Sequence, residues 1–502
     1  MPSLPNLRRT AWLWPLLYVA AFFSLRLFLS PNLGTDDVEA AVFAQGWAAG
    51  YNPKQPPLYT WALLSLYRVF GVSMLAHAVL KYALLLAAFL GLARCMRILA
   101  KDENIIALSP LLLPLLFPVG WGAQEGFTHT ILLMAALFWC LAAFLNFSAS
   151  PTLPHAAELG LALGVGMMSK YNFAISPMAL ALAALTLPGF RRRVFHPRTL
   201  IAAGIAILIF LPHGLWLFAN HPHVPGVVAP AAAPIAAALA GRLSALGSLG
   251  ANSLLFLCPL LPLGLLLAPR MFTAPLPPSG ENPHFHLLLR TTAFALLALI
   301  IGIAIGAIPE VKARYLHPVL LPALPLILMR AENLKSAPRN LRLFKIAGMA
   351  AIAVFGLGLL IQGLFEPRWC KNCRWHAPMP GLATAVRASG FSGGSIIAAD
   401  EHLAGNMRLR FPEAEIWTPP YASSLPFPAR KPCLGLRRTG ADGGAPHEAT
   451  LPLLRFPQRN QSFQWIMEDE CGEALLSWVM AGRKPQAPAA AATAIPPEPS
   501  AP

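Results

Sequence analysis

The sequence predicts a polytopic α-helical membrane protein followed by a small soluble α/β domain. Three observations carry that prediction. Of 502 residues, 56% are hydrophobic and 12% charged, and mean hydropathy is +0.56, a balance that few soluble domains have. The apolar residues come in runs near the ~20 residues that a helix needs to cross a bilayer. From about residue 366 the character changes to strand-like pieces such as "GGSIIAAD" between turn signals such as "FSGG" and "ADGG".

The first apolar run, residues 11–30, follows Arg8 and Arg9. It is longer than the apolar core of a signal peptide and lacks a clean small-residue cleavage site. It reads as a first span with the N-terminus in the cytoplasm. Further spans are expected near 76–98, 104–119, 129–147, 157–169, 171–188, 199–219, 243–267, 290–308, 315–329 and 344–364, about eleven in all. With that numbering Arg94, Arg97, Lys101, Arg191, Arg192, Arg193, Arg198, Arg270 and the Arg330–Lys345 cluster fall inside, as the positive-inside rule requires. One long helix over 157–188 would put Arg191–Arg193 outside, against that rule. The net charge of +16 thus reads as topology; no basic-aromatic motif argues for nucleic acid.

An odd number of spans leaves the C-terminal part outside. The expected division is a membrane region at 1–365, with juxtamembrane helices at 35–73, a soluble outer domain at 366–484, and an Ala/Pro-rich disordered tail at 485–502. Cys95, Cys140 and Cys258 lie in apolar runs and read as packing residues. Cys370, Cys373, Cys433 and Cys471 all lie outside, where an even number suggests two disulfides. The "WCKNC" stretch also matches a redox or zinc half-site. Zinc needs a second pair at matching spacing, and a redox motif needs a preceding strand where a membrane helix stands.

The first outer loop, "GTDDVEAAVFAQGWAAGYNPKQPPLYTW" (Gly34–Trp61), is unusual. Val38, Ala41, Val42, Gln45 and Gly46 share a helical period, and a second amphipathic piece runs from Pro57 to Phe70. Thr35 or Asp36 can cap the first helix. Capping accounts for one acid. It leaves Asp36 together with Asp37, Lys54 and the "PPLYTW" aromatics unexplained.

The pattern "DD…Q…G…QPPLY.W" resembles the first outer loop of the GT-C glycosyltransferases, in particular the lipid A aminoarabinose transferases and the protein O-mannosyltransferase family. "MSKYNFA" (Met168–Ala174) resembles their Ser/Thr-Lys helix break. "KARYLHPVLLPALPL" (Lys312–Leu326) resembles the segment before a late helix, and "LPHGLWLF" (Leu211–Phe218) a Pro-His…Trp stretch. The resemblance covers residues 10–365 and does not extend to the C-terminal domain. One departure stands at Gln55, where relatives often carry Lys or His before the double proline, with Lys54 one place earlier.

The resemblance implies inverting transfer of a sugar from a polyprenyl-phosphate carrier at the periplasmic face of a bacterial inner membrane, which would make the domain at 366–484 periplasmic. The acceptor would be an envelope glycan, lipid A or a protein hydroxyl. Such chemistry needs a carboxylate to take the acceptor proton and cations to stabilise the leaving phosphate. Asp36 aligns with the family's first acid and is the expected base. Asp37 takes the second acidic position, for support or acceptor contact. Glu125, in "GAQEGFTH", is a third candidate acid or a helix cap.

Lys54, Lys170, Lys312 and Arg314 are outside-facing cations that run against the positive-inside bias, so they are candidates for phosphate or substrate binding. Snorkelling to headgroups is the alternative. Tyr59 and Tyr315 are candidates for the sugar or phosphate, or for an interfacial aromatic belt. His213, His221 and His223 cluster near the third outer loop but have no acid beside them. No metal site and no cofactor is expected, although some GT-C enzymes use a divalent ion. The competing readings are a protein O-glycosyltransferase of the same fold, and a lipid or sugar flippase. A flippase predicts an internal repeat, which the halves do not show.

Overall fold

The computed structural model describes residues 13–220, 235–278, 280–335, 338–369, 374–419, 430–439, 453–456, 461–469 and 471–481. The chain divides into two compact units, Met1–Trp369 and Cys370–Pro502.

The first unit is helical. Apolar composition makes its helices, and proline and glycine decide where they stop. α1 (Leu13–Leu29) leads to two short helices, α2 (Thr35–Phe43) and α3 (Leu58–Phe70). Then come α4 (Met74–Leu99), α5 (Thr128–Ala149), α6 (Leu153–Met167), α7 (Ile175–Leu185) and α8 (Arg198–Asn220). α9 (Ile235–Phe256), α10 (Leu260–Leu267), α11 (Pro283–Ala304), α12 (Ala323–Asn333) and α13 (Pro338–Phe365) complete the unit.

Among the described residues five helices are long and apolar enough to cross a membrane: α4, α5, α8, α11 and the stretch that begins with α13. The other apolar runs are interrupted. Residues 104–119 contain Pro110, Pro114 and Pro118 and break into a six-residue helix at Glu103–Leu108, a 3-10 turn at Ser109–Leu112 and a π-turn at Pro118–Gly122. Residues 315–329 are divided by Pro318, Pro322 and Pro325 into His317–Leu320 and α12. Each proline removes an N–H and clashes with the preceding turn. The 157–188 stretch is two helices, as the charge pattern requires. α6 ends where Ser169 Oγ donates to the Gly166 carbonyl (2.5 Å), and a 3-10 turn at Tyr171–Ala174 precedes α7.

α5 is the buried centre, with 89% of its apolar window inside the protein, and it packs on α4 and α6. α6 in turn lies along α8. Gly160 makes that approach possible, because a Cβ there would meet the Ala202 carbonyl oxygen at 2.6 Å. The outer face of α8 carries exposed Leu200, Ile207, Leu208, Leu215 and Phe218, a surface suited to lipid chains.

The second unit holds a five-stranded sheet of order β2-β1-β3-β5-β4. Its strands are β1 (Ser395–Ala398), β2 (Glu415–Trp417), β3 (Cys433–Thr439), β4 (Leu453–Phe456) and β5 (Gln461–Glu468). β1 pairs in parallel with β2 and β3, while β5 runs antiparallel to β3 and β4. The helix Glu401–Arg410 makes the crossover from β1 to β2, as a parallel pair demands. Ile397, Trp417 and Cys433 on one face pack with Leu475 and Val479 of the last helix, Glu473–Ala481. A disulfide joins Cys433 to Cys471 across this core. Cys370 and Cys373, together with the 485–502 tail, lie outside the described residues.

Candidate active site

The acids of the first outer loop sit on α2, and the helix separates them. Adjacent residues on a helix point ~100° apart, so only one of the two can face a given cleft. Capping does not explain Asp36. The cap position is Gly34, and no side chain caps the helix. Instead Asp36 Oδ2 accepts the backbone N–H of Phe127 at 2.8 Å. Phe127 has φ of 65°, a left-handed conformation that costs a non-glycine residue energy and collects at functional sites. The contact is tight. A Cβ at Gly34 would meet the Glu125 carbonyl oxygen at 2.2 Å, so only glycine lets α2 approach the Glu125 turn.

Asp37 turns inward. It is 1% exposed, and its Oδ2 accepts from Lys81 Nζ of α4 at 3.0 Å. His77 Nδ1 lies 4.0 Å from Oδ1, and His77 Nε2 shares a 2.5 Å hydrogen bond with the Tyr67 hydroxyl of α3. Burial works to raise the Asp37 carboxyl, but Lys81, His77 and Arg26 outweigh it and hold it below the usual carboxylate range. With no surface to offer, Asp37 does not contact an acceptor; of its two expected roles, support is the one its position allows.

Glu125 ends the short turn Ala123–Glu125 rather than starting a helix. Its Oε1 accepts from Gln362 Nε2 of α13 at 2.9 Å, and its carbonyl oxygen accepts from Thr35 Oγ1 at 3.5 Å. The second outer loop is thereby docked on α2 beside Asp36.

Lys170 stands at the break between α6 and α7. Its Nζ donates to Thr130 Oγ1 of α5 at 3.0 Å. Burial and the Arg314 charge push its ammonium down to about 8, against the pull of Asp36 and Glu39. Lys170 thus interacts electrostatically with Arg314, Asp36 and Glu39, residues far apart in the chain. Arg314 is exposed, with its guanidinium 5.5 Å from the ring centre of half-buried Tyr315.

Other expected residues stand apart. Lys312 is exposed and pairs with Glu310 at 3.5 Å. Lys54 is exposed in a turn where its backbone N–H donates to Asn52 Oδ1 at 2.9 Å. Tyr59 corrects the expectation of a substrate-facing or belt aromatic. It is 0% exposed and packs with Ala40, Leu63 and Leu132, because α3 lies with its apolar face on α4 and α5. Burial, then Asp37, Tyr67 and Asp36, pushes its phenol well above 10. His213 is structural. Its Nδ1 donates to the Ala49 carbonyl at 2.9 Å and its Nε2 accepts from the Tyr171 hydroxyl at 2.8 Å. His221 and His223 lie outside the described residues.

Several partners escaped sequence reasoning. Lys81 and His77 sit inside an apolar helix, and a lone charge in a span was a usable signal. Glu39, bound by Asn52 Nδ2 at 3.0 Å, stands one turn after Asp36. Gln362 and Thr130 carried no signal, since single polar residues on apolar helices are common.

Comparison with known proteins identifies the fold and the family. The sequence profile of the dolichyl-phosphate-mannose-protein mannosyltransferases matches residues 54–216. The solved structure of ArnT from Cupriavidus metallidurans bound to undecaprenyl phosphate superposes with a TM-score of 0.58 at 13% identity, covering 90% of this chain and 98% of that one. Its apo form gives 0.57 at 15% identity, covering 94% and 99%. The fold is that of a GT-C glycosyltransferase of the ArnT and protein mannosyltransferase type. Among curated proteins, the lipopolysaccharide core galacturonosyltransferase RgtA of Rhizobium johnstonii (strain DSM 114642 / LMG 32736 / 3841) is 31% identical over 422 residues, 81% of this chain and 82% of that protein. RgtB of the same strain, also a lipopolysaccharide core galacturonosyltransferase, is 28% identical over 443 residues, 86% and 87%. The chain belongs to the family of membrane glycosyltransferases that includes RgtA.

Proposed function

We propose that this enzyme moves a uronic-acid-type sugar from a polyprenyl-phosphate carrier to a lipopolysaccharide core acceptor on the periplasmic face of the inner membrane. The observation that carries the reading is the setting of Asp36. It is a half-buried carboxylate held by one backbone N–H, and its charge acts on the Lys170 ammonium. The substrate class follows the names of RgtA and RgtB, and the lipid carrier follows the undecaprenyl phosphate of the ArnT structure.

In this mechanism the acceptor oxygen attacks the anomeric carbon from the face opposite the phosphate. Its proton passes to Asp36, the C–O bond to the phosphate breaks, and the phosphate leaves with the electron pair. Arg314 grips that phosphate with its planar fork, and Lys312 and Lys54, both exposed, add positive charge. Tyr315, with its ring centre 5.5 Å from the guanidinium, orients it. Asp37 fixes α2 through Lys81, and Glu125 fixes the neighbouring loop. The orientation is N-terminus inside and sheet domain in the periplasm. Glycan, lipid A and protein acceptors are separated by assay.

The test is transfer in proteoliposomes from polyprenyl-phosphate galacturonate to purified lipopolysaccharide core, comparing wild type with Asp36→Asn at matched protein. Asn keeps the acceptor for the Phe127 N–H and removes the base. Loss of a general base costs ~10²–10⁴ in rate. Wild-type turnover in Asp36→Asn would move the base elsewhere. Donor appearing on the opposite leaflet without transfer would make the protein a flippase.

A further inference from the structure

Resting on that function, we propose that Lys170 is the residue that recognises the sugar's own carboxylate, and so selects a uronic acid over a neutral hexose. Lys170 differs from the other candidate cations in its surroundings. Lys54, Lys312 and Arg314 are exposed, and Lys312 already has Glu310 at 3.5 Å. Lys170 is only partly exposed, at a helix break that the fold holds from both sides. Ser169 Oγ closes the end of α6 on the Gly166 carbonyl, and His129 Nδ1 donates to the Ser169 carbonyl at 3.2 Å. The ammonium itself is steered by Thr130 Oγ1 at 3.0 Å. A lysine ammonium has three N–H donors, so two remain for a ligand.

The reaction geometry places the sugar beside it. An inverting displacement puts the acceptor and its base on one face of the anomeric carbon and the phosphate on the other. The sugar must then bridge Asp36 and Arg314. Asp36 and Arg314 are linked through one run of contacts: Phe127, whose N–H Asp36 holds, has its ring 5.8 Å from His317, and His317 Nδ1 donates to the Arg314 carbonyl at 3.1 Å; the Lys170 ammonium interacts with the charges of both Asp36 and Arg314. A polyprenyl-phosphate sugar presents one anionic phosphate, which a single guanidinium can hold through two parallel hydrogen bonds. A second, separate cation kept at a desolvated position is costly unless an anion meets it. The carboxylate on a uronic acid ring supplies that second anion; a neutral hexose has only a hydroxymethyl group there.

Anionic oxygens could also come from the phosphate, and two donors distinguish the sources. Polyprenyl-phosphate galacturonate and polyprenyl-phosphate galactose differ only at the ring carboxylate. For wild type the ratio of kcat/KM, galacturonate over galactose, should be well above one. Lys170→Met should lower that ratio by about 10- to 100-fold, the range of one hydrogen bond to a charged group, and Lys170→Arg should keep most of it. Arg314→Ala should lower both donors together and leave the ratio in place. If Lys170→Met lowers both donors equally, Lys170 serves the phosphate or the fold and the proposal is wrong. It is also wrong if wild type transfers both donors without preference. Wild type inactive on both donors, with folded protein confirmed by monodisperse elution, would instead defeat the functional reading beneath it.

Discussion

Replacing Lys81 by methionine tests whether the buried ion pair holds the acid-bearing helix. Lys81 Nζ and Asp37 Oδ2 are 3.0 Å apart, and both side chains are 2% exposed. Methionine matches the lysine stem in length and apolar character but takes away the ammonium that the Asp37 carboxylate accepts from. Its Oδ1 has no hydrogen bond, and what remains is His77 Nδ1 at 4.0 Å and the charge of Arg26. Removing one partner of a buried pair costs about 3–5 kcal/mol. The double variant Asp37→Leu/Lys81→Met, which removes both charges, should recover most of that loss.

The pH dependence gives a second, independent readout. In wild type the Asp37 carboxyl lies below its ordinary value. Its contribution is therefore full above the unfolded pKa of about 3.9 and is lost as pH falls through the lower folded value. Without Lys81, burial dominates and raises the folded pKa. The deficit of Lys81→Met should then shrink as pH falls through that raised value, because protonation removes the stranded charge. Equilibrium unfolding in mixed detergent micelles, followed by far-ultraviolet circular dichroism, reads both effects. A Lys81→Met protein within about 1 kcal/mol of wild type at neutral pH, against the expected cost, would refute the reasoning. So would a deficit that does not change with pH.

Gly34→Ala should cut transfer severely, since its Cβ would meet the Glu125 carbonyl at 2.2 Å and push α2 from the Phe127 N–H; unchanged kcat in vesicles would show that the approach of α2 to that loop is not needed. Lys170 is held at about 8, with Arg314, Asp36 and Glu39 as its charged neighbours, so it loses charge as pH rises through that value. KM for a galacturonate donor should climb across that window, and Lys170→Arg should move the climb to higher pH; a flat KM from pH 7 to 9 would contradict this. Reporter fusions at Ala149, Gly189 and Pro338 should read cytoplasmic and one at Pro380 periplasmic; a cytoplasmic signal at Pro380 would reverse the proposed orientation.

The sequence by itself determined the helical membrane class, because bilayer insertion depends on composition summed over a window and not on which residues later touch. Residues 104–119 and 315–329, expected as single spans, are interrupted in the structure, but the break within 157–188 was located from the Arg191–Arg193 charges. The strand at Ser395–Ala398, short and apolar between turns, was legible locally. The acid-bearing loop was legible too, since two adjacent carboxylates beside a membrane helix need a reason wherever they occur.

Tertiary structure decided what those residues do. Asp36 and Asp37 are identical in type and adjacent in the chain; only the arrival of Lys81 on one side of α2 and of Phe127 on the other distinguishes them. Tyr59 looked like an interfacial aromatic until α3 was laid on α4 and α5, which buried it. The four cations stood together as candidates for phosphate, with Lys312 and Arg314 preferred. Packing left three exposed and placed Lys170 against Thr130. Four outer cysteines allow several pairings, and the sheet register brought Cys433 within reach of Cys471. For the two acids, Lys170 and Cys433 the deciding partner lies 38 or more positions away. A side chain's burial and charge environment are set by those distant neighbours, and periodicity along the chain carries no record of them.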